Sequence, residues 1–133
     1  MGLSANTYKR PTGVNRYTTG QQWENPGSTK TLDEGDGGVW QVCKTDATVI
    51  TLPATVVGTV YKIMNGAVDG AALISISPAA ADKIMGNGFT SADNKDAQNT
   101  KATAKNGDYM ILVGDGANGW MVQDVRGTWA REA

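Results

Sequence analysis

The chain has 133 residues, 40% of them hydrophobic, which is enough for one domain with one modest core. Its net charge of −1 gives no general attraction to nucleic acid or to acidic membranes, and no apolar run is long enough for a membrane-spanning helix. The absence of histidine and the single cysteine, Cys43, exclude Ser-His and Cys-His nucleophiles, the usual zinc sites and an intrachain disulfide. We therefore expect a protein that is not an enzyme and uses no cofactor.

Residues 1–22 differ in composition from the rest of the chain. They contain Lys9, Arg10 and Arg16 and no acidic residue, so they contribute +3 to the total of −1 and leave −4 for residues 23–133. Such a segment has too few large apolar groups to order itself. We expect an extended arm, up to about 70 Å long at about 3.3 Å per residue, that lies on a neighbouring subunit. The expected contact residues are Leu3, Tyr8, Lys9, Arg10, Tyr17 and Trp23.

From Trp23 onward the sequence predicts short β-strands separated by tight turns. Runs rich in Val, Ile and Thr alternate with Asn-Gly, Asp-Gly and Pro-Gly pairs. In one strand Tyr61 and Ile63 share a face, with Lys62 on the other. Residues 90–106 are polar and are expected to form a long exposed loop or an edge hairpin. Strands are predicted at 39–44, 47–54, 58–65, 71–78 and 81–89, and the clearest hairpin joins 108–116 to 118–129.

No segment has a helical period, and turn signals recur every 8 to 12 residues or so. Seven or eight short strands of this kind predict an all-β domain over residues 23–133. We expect an antiparallel β-sandwich or a small, jelly-roll-like β-barrel, with the extended N-terminal arm preceding it.

Two loops have the composition of ligand sites. Residues 114–119, "GDGANG", follow a strand, but the next segment is also a strand and no Lys-Ser or Lys-Thr follows, so we expect a turn rather than a phosphate cradle. Asp33, Glu34 and Asp36 form an oxygen-rich cluster of the kind that binds calcium. Because the remainder of a calcium-binding loop is missing, we expect a solvated acidic turn there.

The four tryptophans have two possible roles. Trp40, Trp120 and Trp129 lie in or beside predicted strands, whereas Trp23 lies at the junction with the arm. We expect core packing, with the indole N–H bonded to a backbone carbonyl. The alternative is a platform that stacks on a sugar or on a partner chain, because aromatic side chains are enriched at interfaces.

Three stretches together carry a family resemblance. They are "ITLPATVVGTVYKIMNG", "ISISPAAADKIMGNG" and "GDYMILVGDGANGWMVQDVRGTW", which fall within residues 49–129. In order, a strand ending Thr-Leu-Pro leads to a Gly-x-x-Tyr strand, then to an Asp-x-Ile-x-Gly turn and finally to a hairpin ending Gly-x-Trp. This pattern resembles that of small β-structured virion proteins of tailed bacteriophages, and with the arm it is most similar to capsid decoration (cement) proteins.

The resemblance implies a structural protein on the outer surface of a virion. It would be assembled in the host cytoplasm, form a homo-oligomer, most commonly a trimer, bind the major capsid protein and clamp neighbouring capsid subunits. It implies no nucleic-acid or membrane partner. The alternative is a tail-fibre or head-fibre module that binds a glycan, and a third hypothesis is a small hydrolase that uses two carboxyl groups on a β-scaffold.

Overall fold

The structure is a computed structural model that describes residues 21–133, and this part of the chain is all-β, as predicted. A single 3-10 turn, Glu34–Asp36, is the one helical element in the described range. The strands are β1 (Trp23–Glu24), β2 (Thr29–Thr31), β3 (Trp40–Cys43), β4 (Thr48–Thr51), β5 (Val60–Asn65), β6 (Ile74–Ser77), β7 (Lys83–Met85), β8 (Ala97–Asn99), β9 (Tyr109–Gly114), β10 (Gly119–Arg126) and β11 (Ala130–Arg131).

The strands form two sheets that share one core. The first sheet has six strands in the order β1-β3-β5-β9-β10-β7, and the second has five in the order β11-β8-β6-β4-β2. From β1 to β9 the chain alternates strictly between the sheets, so the pairs β1/β3, β3/β5, β2/β4, β4/β6 and β6/β8 each join strands two positions apart in the sequence, whereas β9 pairs with β5 and β10, and β7 pairs with β10. The predicted hairpin is confirmed in β9 and β10, which pair antiparallel around residues 115–118.

The expectation of purely antiparallel sheets is wrong, because both sheets are mixed. The pairs β1/β3, β3/β5, β2/β4, β4/β6 and β7/β10 are parallel. In four of these pairs the chain crosses to the opposite sheet and returns in its original direction two strands later, and such crossovers are what parallel pairing requires. The pair β6/β8 is reached in the same way but is antiparallel. The turn signals in the sequence are real, but most of these turns connect the two sheets instead of closing hairpins within one.

The core lies between the sheets and is filled from both. Trp120, Tyr61 and Met110 of the first sheet meet Ile50 and Ile76 of the second. The predicted face of Tyr61 and Ile63 is buried, as expected for alternation in a strand covered on that side. Cys43 is also buried in this core. The other core residues are Leu32, Leu52, Ala67, Ala72, Ile74, Ile84, Ala97, Leu112 and Trp129.

The polar segment 90–106 contains a core strand, β8, that the sequence did not predict. Asn99 is fully buried, and its side-chain amide donates to Asp108 Oδ2 at 3.1 Å and to the Thr128 carbonyl. Its carbonyl oxygen accepts from Asn65 Nδ2 at 2.8 Å. These polar groups hydrogen bond to one another, which offsets the free-energy cost of burying them. A strand with a polar sequence can therefore occupy the interior.

Charged side chains close the end of the core beside β1 and β2. Lys30 of the second sheet binds Glu24 of the first sheet at 2.6 Å and Asp36 at 2.9 Å. Burial alone would lower the pKa of Lys30, but the hydrogen bonds to Glu24 and Asp36 outweigh it and raise this pKa. Burial alone would raise the pKa of Asp36, but hydrogen bonds from the Asp33 backbone and from Lys30 outweigh it, so this pKa is lowered. This polar cap ties the two sheets together.

Candidate interaction surface

Trp23 is the one predicted contact residue that falls within the described range. It lies in β1, at the free edge of the first sheet, and its side chain is 61% exposed. Leu3, Tyr8, Lys9, Arg10 and Tyr17 lie outside the described residues. An exposed tryptophan at a sheet edge is the type of residue that dominates protein interfaces, and the contact role of Trp23 stays a prediction.

The residues just before Trp23 are bound to the first sheet. Gln21 Oε1 accepts hydrogen bonds from the Trp40 indole N–H and, at 3.0 Å, from Lys62 Nζ. The Gln22 carbonyl accepts from the Trp40 backbone N–H at 3.0 Å. Trp40 and Lys62 point away from the core, so the chain joins the domain on the outward side of the first sheet.

The strand register places three columns of side chains on that side. Directly paired residues of neighbouring strands share a face, so the outward positions follow from the pairing. We call these positions the first-sheet outer face. Its columns are Trp23, Trp40, Lys62, Ile111 and Asp124; Val60, Val113, Met121 and Met85; and Val42, Met64, Tyr109 and Arg126.

An aromatic pair with charged neighbours occupies the middle of the first-sheet outer face. The rings of Trp40 and Tyr109 meet edge-on, with centroids 5.6 Å apart and planes at 79°. Lys62 Nζ lies 5.5 Å from the centroid of the Trp40 ring, within cation–π range. The Tyr109 hydroxyl donates to Asp124 Oδ2 at 3.0 Å, and this hydrogen bond raises the pKa of Tyr109. These contacts fix the charged side chains on an otherwise apolar surface.

The end of this face near the β9–β10 turn is apolar and exposed. Met121 is 42% exposed, and Val56 and Val57 in the neighbouring loop are 50% and 75% exposed. The loop is held against the turn by a bond from the Gly58 N–H to the Gly114 carbonyl at 3.0 Å. With Trp23, these residues are four of the five large apolar side chains exposed in the described part of the chain, and Val68 is the fifth.

The loops that resemble ligand sites are held by their own side chains. Asp115 Oδ1 accepts from the backbone N–H groups of Ala117, Asn118 and Gly119 at 2.8 to 2.9 Å, and these bonds lower its pKa. In the acidic turn, Asp33 accepts from the Gly35 N–H and Asp36 accepts from the Asp33 N–H. Among residues 21–133 no group of three or more His, Cys, Asp or Glu side chains is arranged to hold a metal ion.

Trp120 and Trp129 lie in the core, as predicted, whereas Trp40 is buried on the outward side of the first sheet and is not part of the core. The indole N–H groups of the three also differ. Trp129 Nε1 donates to the Arg126 carbonyl at 3.0 Å, the backbone bond that the sequence predicts. Trp40 donates to the Gln21 side chain instead, and Trp120 Nε1 has no hydrogen-bond partner among residues 21–133. Burial raises the pKa of the Cys43 thiol to about 12, so it stays protonated at neutral pH. No helix in the described range is long and apolar enough to cross a membrane.

The sequence matches no protein-family model, and no curated protein is significantly similar to it. The function is therefore inferred from the chain's own residues. The first-sheet outer face is the largest feature that the sequence analysis missed, although the signal was present: 109–113, "YMILV", is apolar at outward and inward positions alike. A strand of that composition is typical of a sheet covered on both faces.

Proposed function

We propose that this protein is a structural component of a bacteriophage virion that binds the outside of the capsid and clamps neighbouring capsid subunits. The observation that carries the proposal is the first-sheet outer face with exposed Trp23 at its edge. Large apolar surfaces of this kind mark protein–protein contact sites. The chain enters the domain on the same side, through Gln21 and Gln22, so the arm joins the domain at this contact face and near Trp23.

For the architecture we propose a two-sheet sandwich preceded by an extended arm. Strands β1 and β7 end the first sheet, and β11 and β2 end the second, which supports two open sheets over a closed barrel. The arm comprises residues 1–22 and contributes Leu3, Tyr8, Lys9, Arg10 and Tyr17. Its +3 charge would suit an acidic groove on the capsid, and repetition over many lattice positions would multiply a weak single contact.

The experiment compares the full chain with a variant that lacks residues 1–20, added to phage heads that have been stripped of this protein. The deletion stops before Gln21 because this residue and Gln22 bond to Trp40. We expect the full chain to saturate the heads and the deletion to bind at least tenfold more weakly. Occupancy is measured by quantitative gel analysis and by electron microscopy of labelled virions.

A matched control separates loss of the arm from loss of its charge. Replacing Lys9, Arg10 and Arg16 by Gln keeps the length of the segment and removes its +3 charge. A charge-driven contact weakens in this variant and with rising salt. Full occupancy of the heads by the deletion variant would show that the arm has no clamping role. Label confined to the tail would favour the fibre module described below over a decoration protein.

The second-sheet outer face favours the alternative, a fibre module that binds a glycan. We define this face by its outward residues, which form one column of Thr29, Val49, Ser75, Gln98 and Ala130 and another of Thr31, Thr51 and Ser77. Hydroxyl and amide groups in flat rows can hydrogen bond to sugar hydroxyls. Binding of host polysaccharide by the purified protein, with loss of binding in Gln98→Ala, would support this function. Absence of binding to any glycan on an array would contradict it.

A further inference from the structure

We propose that the first-sheet outer face binds the same face of a second copy, around a two-fold axis that runs along β9. This inference rests on the proposed function in that a decoration protein is expected to be an oligomer. It assigns the broad face to contact between copies and leaves capsid binding to the arm and to Trp23 at the edge of the sheet. It specifies the interface and favours a dimer over the trimer that the family resemblance implies. Because the test needs only the purified chain, its failure is distinguishable from failure to bind capsids.

Val42 and Trp40 on this face are already buried, and the apolar side chains that remain partly exposed are the reason that it needs a cover. Ile111 and Val113 of β9 are only partly buried, although they lie in the middle of a six-stranded sheet. Met121 beside them on β10 is 42% exposed. Covering such side chains gains roughly 25 cal/mol for each Å² of apolar area removed from water. A solvated face of the same sheet would carry polar groups instead.

The charges on this face make it complementary to itself. Lys62 and Asp124 pair directly with Ile111 from opposite sides, so each lies one strand spacing, about 4.8 Å, from the line of β9. A two-fold axis along β9 exchanges these two sides. It therefore places Lys62 of one copy opposite Asp124 of the second copy, twice in the dimer, while Ile111 meets its own counterpart.

The same operation matches the apolar positions. Val60 and Met121 pair with Val113 from opposite sides, so the axis places Val60 opposite Met121 of the second copy. Two faces packed in this way would lie about 10 Å apart. A two-fold interface uses one patch on both copies, whereas a trimer requires two different patches. Two of the five large apolar side chains exposed in the described residues, Trp23 and Met121, lie on this face, and Val56 and Val57 lie in the loop beside the β9–β10 turn.

Edge-to-edge pairing of sheets is the weaker way to join two copies. The end strands β1, β2, β7 and β11 have only two or three residues each. Such short edges offer few backbone hydrogen bonds and are typical of edges that avoid association. The polar cap formed by Glu24, Lys30 and Asp36 also closes the end beside β1 and β2. The broad face is therefore the better docking surface.

The test is a charge exchange followed by sedimentation equilibrium. The wild-type chain should sediment as a dimer of twice the 14.0 kDa chain mass. Lys62→Asp places two acids opposite each other, and Asp124→Lys places two lysines there, so we expect each to weaken dimerisation at least tenfold. The double variant Lys62→Asp/Asp124→Lys restores opposite charges and should recover most of the loss. Circular dichroism checks that each variant is folded.

Two further variants test the apolar part against a matched control. Met121→Glu should dissociate the dimer, whereas Val68→Glu, at a position 74% exposed and outside the face, should not. A wild-type monomer at every concentration, equal dissociation by both variants, a trimer, or no recovery in the double charge variant would each overturn the proposal. A monomeric full chain that dimerises only after deletion of residues 1–20 would assign the face to that segment instead.

Chemical crosslinking gives an independent readout. Cys43, the one cysteine of the chain, is buried with its pKa raised to about 12, so it should not react. Ile111→Cys places a thiol at the proposed axis, and we expect oxidation or a short bismaleimide to join two copies within minutes. Val68→Cys is the control and should remain largely uncrosslinked. Equal crosslinking of the two variants would contradict the two-fold arrangement.

Discussion

The two sheets share one core, yet their outer faces have opposite characters. The first-sheet outer face carries tryptophan, valine, isoleucine and methionine with few charges. The second-sheet outer face carries mainly threonine, serine and glutamine, and Gln98 Nε2 lies 3.3 Å from Ser75 Oγ. Inward positions are mainly apolar in both sheets, with buried Gln41, Asn65 and Asn99 among the polar exceptions, so the difference does not come from folding the core. The second sheet therefore presents a mainly polar surface to water, whereas the first presents a more apolar surface, which supports the proposed contact role of the first sheet.

The largest effect on stability is expected within β9, where neighbouring side chains point to opposite faces of the sheet. Leu112 points into the core and Ile111 points outward on β9. Leu112→Ala should lower the free energy of unfolding by about 2–5 kcal/mol because it leaves a cavity. Ile111→Ala should cost less than about 1.5 kcal/mol in the monomer, because water already reaches this side chain. Urea unfolding at low protein concentration measures both, and equal losses would mean that the outer face is already covered within one chain.

A smaller effect is expected where the two sheets are joined by the polar cap. Lys30→Met removes the cation between Glu24 and Asp36 and leaves two acids close together. We expect a loss of about 1–2 kcal/mol at pH 7, because these groups are only partly exposed but still screened by water. The matched control is Lys101→Met, which removes a more exposed ion pair with Asp46. A loss no larger than that of the control would show that the cap contributes little.

The cap also predicts how stability depends on pH. The folded pKa of Asp36 is lowered, so its contribution is present above the unfolded value of about 3.9 and is lost as pH falls through the folded pKa. The folded pKa of Lys30 is raised, so its contribution is complete below about 10.4 and is lost as pH rises through the folded pKa. Urea midpoints across both pH ranges should vary less in Lys30→Met than in the wild type.

The sequence was sufficient to predict the positions of the central strands and the direction of their side chains, but not β1, β2 or β8. The alternation of Tyr61 and Ile63 with Lys62 located β5 and its buried face. The Gly-Asp-Gly turn located the β9–β10 hairpin. These features are local, since turn residues and a period of two act within a few positions. The all-β class followed from them.

Pairing and surface function depend on contacts between distant residues, and the sequence did not predict them. A turn that joins two strands has the same composition whether it closes a hairpin or crosses to the other sheet, so the parallel pairs were missed. The buried strand β8 was missed because Asn99 satisfies its amide with Asn65 and Asp108, which are far away in sequence. Of the predicted contact residues, only Trp23 falls within the described range, and its exposure agrees with a role that is still a prediction.

The smallest effect should come from the second-sheet outer face. Thr51 points outward between Thr31 and Ser77. Thr51→Val keeps the side-chain shape and the β-branched stiffness that suits a strand, so unfolding should change by no more than about 0.5 kcal/mol. Its sedimentation should match that of the wild type, because one valine does not create an apolar patch. The triple variant Thr31→Val/Thr51→Val/Ser77→Val makes this column resemble the first sheet, and we expect it to associate beyond the dimer. If it does not, apolar composition alone does not determine which face binds, and the charge pattern of Lys62 and Asp124 must provide the specificity.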